Sequence, residues 1–119
     1  MKILFAGSPG TSAEILQHLS NQKCEIVGVI SQPDKRSKRS GNKDPSAVSA
    51  MAINLGVPLF KPSKIDDEFK EIISKIQCDF LVVSAYGKIL PEWLLAHPKI
   101  SPINIHFSLL PKYRGASPI

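Results

Sequence analysis

Phe80-Leu81-Val82-Val83-Ser84-Ala85 decides the fold class of this chain. The run is nearly all apolar and shows no alternation with polar residues, which marks a strand covered on both faces. Such strands belong to parallel sheets whose crossovers are helices. The flanking segments agree. Ile3 to Ala6 is a short apolar run closed by Gly7-Ser8-Pro9-Gly10, and Glu25 to Ser31 is a β-branched run bounded by turn residues. Between them, Ser12 is placed to cap a helix with Ala13, Ile15, Leu16 and Leu19 on one face. Val57 to Phe60 and Ser101 to His106 read as two further strands. Asp44-Pro45 predicts the start of a second helix, with Asp44 as N-cap, Val48, Met51, Ala52 and Leu55 inward, and Gly56 as its stop. Asp66 to Gln77 predicts a third, with Phe69, Ile72, Ile73 and Ile76 inward and acids at its positive end. Pro91 to Ala96 is a short helical segment. The alternation predicts an α/β fold with a doubly wound, mostly parallel sheet. In such sheets ligands gather beyond the carboxyl ends of the strands.

A length of 119 residues fits one domain, and 43% hydrophobic with 21% charged residues excludes disordered, collagenous and disulfide-scaffold classes. No apolar run reaches the roughly 18 residues of a membrane helix, so no membrane partner is expected. The N-terminal MKILFAG is too short for a signal peptide and reads as a strand. Cys24 and Cys78, far apart and without metal-ligand spacing, are expected to be reduced and buried in a cytoplasmic protein.

The net charge of +5 is concentrated: Lys35, Arg36, Lys38, Arg39 and Lys43 fall in nine residues without an acid. Two readings stay open, a solvated loop or a surface for an anionic partner. The stretch Gln32 to Asp44 has no periodicity and is expected to be a long exposed loop. Gly7-Ser8-Pro9-Gly10 lacks the three glycines of a dinucleotide fingerprint, and no acid closes the second strand; a tight βα turn is the simpler reading. Asn104 and His106, two apart in a strand, are expected to share a face. An amide donor beside an imidazole at a sheet rim suits acyl transfer to an amine, although such a pair is also common as plain structure. His18 and His97 are weaker candidates, and no metal site is expected.

The string from Asn104 to Ile119, with its core Asn-x-His-x-Ser-Leu-Leu-Pro-x-x-Arg-Gly, resembles the signature of the folate-dependent formyltransferases. Lys2 to Pro9 resembles the opening strand and turn of that family. Ser31-Gln32-Pro33-Asp34-Lys35 resembles its second-strand exit, and Ala85-Tyr86-Gly87-Lys88-Ile89-Leu90-Pro91 the segment before its catalytic strand. The combination is most similar to members that act on methionyl initiator tRNA.

The resemblance implies a Rossmann-like formyltransferase fold and transfer of a formyl group from 10-formyltetrahydrofolate to the amino group of methionyl initiator tRNA. It implies catalytic roles for Asn104 (oxyanion donor) and His106 (general base or charge-stabilising donor). Ser108, Leu109, Leu110 and Pro111 would line the folate site, with Tyr86, Gly87, Ile89, Leu90 and Pro91 as its adjacent wall. Lys35, Arg36, Lys38, Arg39 and Lys43 would engage the tRNA acceptor arm. No metal is implied, and a monomer is expected. Gly10 and Thr11 depart from the acidic and aromatic residues usual in the family at those positions.

The 119 residues correspond to the N-terminal part of the family's catalytic domain. The catalytic Asp, the remaining strands and a C-terminal β-barrel domain have no counterpart here, so the chain is expected to be catalytically incomplete with an exposed sheet edge. The alternatives are a formyltransferase for a small amine (glycinamide ribonucleotide or an amino sugar), a formate-releasing hydrolase, a non-catalytic remnant that binds tRNA or folate, and, more distantly, a nicotinamide-dependent oxidoreductase.

Overall fold

Along the first strand Ile3 and Phe5 join one apolar cluster while Leu4 and Ala6 join another. That alternation, with both sets buried, requires cover on both faces of the sheet. The computed structural model describes residues 1–37 and 41–106 and provides that cover. In chain order the elements are β1 (Lys2–Gly7), α1 (Gly10–Ser20), β2 (Glu25–Ile30), β3 (Lys35–Arg36), β4 (Lys43–Asp44), α2 (Ala47–Leu55), β5 (Leu59–Phe60), α3 (Asp67–Ser74), β6 (Phe80–Ser84), α4 (Glu92–Leu95) and β7 (Ser101–Asn104).

The main sheet runs β5-β2-β1-β6-β7, and every neighbouring pair is parallel. Ala13 and Leu16 of α1 and Val48 and Ala52 of α2 pack on Ile3, Phe5, Ile26, Val29 and Val82. On the other face Phe69 and Ile73 of α3 and Leu94 of α4 pack on Leu4, Ala6, Ile30 and Leu81. Each fully buried leucine of this kind contributes roughly 1.5–3 kcal/mol of apolar transfer. The chain winds outward from β1 through β2 to β5, then α3 carries it back to β6 on the opposite side of β1. The strand order therefore reverses between β1 and β6. The doubly wound parallel sheet expected from the sequence is the observed architecture.

Local chemistry sets the helix bounds. Ser46 caps α2, its Oγ accepting from the Ser49 N–H at 3.0 Å, and Gly56 ends that helix at φ +73°. Gly56 can hold this left-handed conformation without the steric penalty of a Cβ. Asp66 caps α3 by accepting from the Phe69 N–H at 3.1 Å, with Asp67 and Glu68 in the first turn.

Several expectations are corrected. Asp44 is not the cap of α2; it pairs with Lys35 in a small antiparallel hairpin, β3–β4, inside the stretch expected to be plain loop. Ser12 does not cap α1, which starts at Gly10 behind Pro9; it is buried within the helix and bonded to β6. Met51 and Leu55 are half-buried, while Ser49 takes a buried place in α2. Ile72 is 44% exposed rather than inward, because α3 turns only Phe69 and Ile73 fully onto the sheet. The third strand of the sheet shortens to Leu59–Phe60, α3 ends at Ser74, and β7 ends at Asn104, so His106 lies just past it. Cys78 is buried as expected, whereas Cys24 is half-buried.

Candidate functional site

All five parallel strands point their carboxyl ends to one rim, and three of the exits meet there in a cleft of about 840 Å³. Ser8 and Pro9 follow β1, Gln32 to Ser37 follow β2, and Ala85 to Lys88 follow β6; Asp44 to Ala47 close the side toward α2. The cleft thus sits where the strand order reverses, the crevice at which doubly wound sheets bind ligands.

Its floor is a chain of hydroxyls. Ser31 Oγ and Ser46 Oγ share a hydrogen bond of 2.5 Å, and Ser46 Oγ donates to Ser49 Oγ at 3.1 Å. Ser8 Oγ lies 3.4 Å from Ser31 Oγ and donates to the Tyr86 carbonyl at 3.2 Å. Gln32 adds two bonds, its N–H to Ser8 Oγ at 3.3 Å and its Nε2 to the same Tyr86 carbonyl at 2.9 Å. Beneath this layer Ser12 Oγ bonds to the Ser84 carbonyl and hydroxyl. The β6 exit needs such anchors. Ala85 stands at φ +53°, an unusual value for a residue with a Cβ, and Gly87 follows at φ +99°. Sequence reasoning reads Ser8 as part of a turn, Ser12 as a helix cap and Ser31-Gln32 as a strand exit, and gives none of them a place in a shared layer. The legible signal was their recurrence at equivalent places, one serine at or just after the end of each of β1, β2 and β6.

The expected site residues divide. Tyr86 and Gly87 line the cleft, but the Tyr86 side chain is 2% exposed and belongs to the core. Its buried hydroxyl has no hydrogen-bond partner among the described residues, and burial pushes its pKa above the ordinary 10.0. Leu90 is also core, Pro91 precedes α4 as its N-cap, and Ile89 is 96% exposed beside them. Lys35 and Arg36 line the cleft from β3, and Lys43 stands in register with Arg36 on β4. Asn104 ends β7 in register with Val83, on the sheet face that α3 and α4 cover, while Ile105 packs toward the other face. Asn104 and His106 are both exposed at the rim, next to the β6 exit but outside the cleft lining. Lys38, Arg39, Ser108, Leu109, Leu110 and Pro111 lie outside the described residues. His97 is held structurally, its Nε2 2.6 Å from the Ile76 carbonyl.

A family model described as formyl transferase matches residues 1–119, the whole chain. The chain belongs to the formyl transferase family. This member is 46% identical over 121 residues to the methionyl-tRNA formyltransferase of Sulfurihydrogenibium sp. (strain YO3AOP1). It is 44% identical to the enzyme of that name from Clostridioides difficile (strain 630), and 45% identical to that of Thermotoga maritima, each over 120 residues. These alignments cover 100% of this chain and 38–39% of each relative, so the chain spans about two fifths of their length. The crystal structure of glycinamide ribonucleotide transformylase 1 from Geobacillus kaustophilus superposes with a TM-score of 0.57 at 21% identity, covering 97% of this chain and 62% of that one. That likeness supports the formyl transferase fold. No helix among the described residues is long and apolar enough to cross a membrane.

Proposed function

We propose that this chain carries the N-terminal part of a methionyl-tRNA formyltransferase site, which moves a formyl group from 10-formyltetrahydrofolate to the α-amino group of methionyl initiator tRNA. The relatives bearing that name motivate the reaction. The observation that carries the choice of acceptor is the basic hairpin on the lip of the cleft. Arg36 and Lys43 are opposed in the β3–β4 register beside the Lys35–Asp44 pair, and an anion lying across two opposed cations relieves their repulsion. A phosphodiester backbone supplies such an anion, and Lys35, Arg36 and Lys43 would meet it, with Lys38 and Arg39 between them in sequence.

In the reaction the amine nitrogen attacks the formyl carbon, a new C–N bond forms, and the bond from that carbon to N10 of the folate breaks. Negative charge gathers on the formyl oxygen as the tetrahedral centre develops. We read the Asn104 amide, exposed at the rim, as the donor to it, and removal of such a donor lowers the rate by roughly 10²–10³. His106 takes the proton that the attacking amine releases, and the departing N10 gains one; general acid–base help of this kind is worth about 10²–10⁴. Tyr86 to Pro91 are read as the folate wall through the main chain and the exposed Ile89, with Ser108 to Pro111 as the other folate residues that the sequence suggests. The protein is read as a monomer of the cytoplasm that acts without a metal.

The test is titration of the chain with initiator tRNA over a range of salt, followed by a formylation assay with 10-formyltetrahydrofolate and an Asn104→Ala control. Binding that weakens steeply with salt supports the acceptor. Indifference of binding to salt removes it. Because the chain spans two fifths of its relatives, turnover by these residues alone is expected to be near zero.

A further inference from the structure

The Tyr86 carbonyl receives side-chain donors from two other strand exits, Gln32 Nε2 at 2.9 Å and Ser8 Oγ at 3.2 Å. Proton counting ranks them. Each serine hydroxyl has one proton. Ser46 gives its own to Ser49, so the short Ser31–Ser46 bond uses the proton of Ser31. The contact between Ser8 and Ser31 must then draw on the Ser8 proton, which is divided between Ser31 and the Tyr86 carbonyl. Among the described residues, Gln32 is left as the one undivided side-chain donor to that carbonyl. Its amide also lies against Gly87, where a Cβ would stand 3.6 Å from Nε2. The peptide it holds joins two residues at the β6 exit, where Ala85 and Gly87 have φ of +53° and +99°. A backbone in those regions persists when its surroundings hold it.

We propose that Gln32 is a positioning residue, which fixes the Tyr86–Gly87 peptide and with it the shape of the cleft wall that the folate meets. Gln32 acts through the main chain of the β6 exit. The inference rests on the folate reading of Tyr86 to Pro91, and it adds to that reading a residue from a different strand exit.

The experiment compares wild type with Gln32→Ala and Gln32→Met, the second keeping most of the volume while removing the donor. NMR order parameters are measured for the Gly87 and Lys88 backbone N–H groups, 5-formyltetrahydrofolate is titrated as a stable reduced folate, and urea midpoints are recorded. Loss of one hydrogen bond predicts a Kd about tenfold weaker, with order parameters at Gly87 and Lys88 lowered in both variants. Because the closed exit is part of the folded state, the urea midpoint falls by no more than the equivalent of the same factor. A Gln32→Met variant that binds folate and orders this exit like wild type overturns the proposal, as do lowered order parameters with unchanged affinity. Wild type that shows no folate binding overturns the folate reading instead, a result separate from either.

Discussion

Ser12 Oγ, inside α1, donates to the carbonyl oxygen of Ser84 at the end of β6 and lies 2.9 Å from its hydroxyl. A helix and a strand separated by most of the chain are thus joined by a buried side chain. The same spot leaves no room for a larger residue on β1, since a Cβ at Gly7 would stand 2.5 Å from that Ser84 carbonyl. Gly7→Ala is expected to destabilise the chain by about 1–3 kcal/mol through overpacking, and Ser12→Ala by about 1–3 kcal/mol through the stranded polar groups. Urea unfolding of the two variants checks both values.

Tyr86 is a different case, a buried hydroxyl that finds no partner among the described residues. Its removal forfeits no such bond and relieves a desolvated group. Tyr86→Phe is expected to leave stability unchanged or raise it by up to about 1–3 kcal/mol. A destabilised Tyr86→Phe variant in the same urea assay would show that the hydroxyl is satisfied after all.

Alkaline pH should weaken the fold through two groups. Burial, then the adjacent Asp79 charge, raises the Cys78 thiol above its ordinary 9.0, with the Leu4 main chain opposing; burial alone raises Tyr86 above 10.0. Each group stays protonated in the folded chain at a pH where the unfolded chain has released the proton. Their stabilisation is therefore complete below pH 9 and lost as pH rises, first through Cys78 and then above 10 through Tyr86. The slope is at most about 1.4 kcal/mol per pH unit for each group. Urea midpoints from pH 7 to 11 should be flat and then fall, and Tyr86→Phe should remove the later part of the decline.

The hairpin makes an electrostatic prediction. Replacing Lys35, Arg36 or Lys43 with Ala should weaken binding of initiator tRNA and lower the slope of log K against log salt by about 1 for each phosphate no longer neutralised. These side chains are surface-exposed, so the circular dichroism spectrum should not change. An unaltered slope in the triple variant would move the tRNA surface elsewhere.

Helix α3 offers a test of local structure alone. Asp66→Ala removes the acceptor for the Phe69 N–H and should cost about 0.5–2 kcal/mol, read as a lower urea midpoint with an unchanged folate Kd.

The sheet was legible because its evidence is collective. β6 is apolar along its length and β1 alternates between two buried faces, patterns that a doubly wound architecture satisfies throughout. The short elements were harder. Nothing periodic marks β3 and β4, which hold two residues each and are followed or preceded by a turn with Gly41 at φ +74°. Asp44 and Ser46 are both good caps by composition, and the choice fell to Ser46 because its hydroxyl also reaches Ser31. Ile72 fits a helical period, but a helix of eight residues touches the sheet along too narrow a stripe to cover it. In the candidate site, Asn104 and His106 stood out by residue type. The serine and glutamine layer did not, since its role appears only when three distant strand exits are brought together.

The bond between Ser31 and Ser46 has a consequence for how such a protein diversifies. It closes a loop whose ends are fifteen positions apart in sequence, and the basic hairpin lies wholly between them. With both ends fixed to β2 and to the start of α2, the excursion can lengthen, shorten or change charge while the sheet beneath keeps its register. The loop behaves as an exchangeable cassette. A change in what the loop meets can rewrite it without disturbing the exits of β6 and β7.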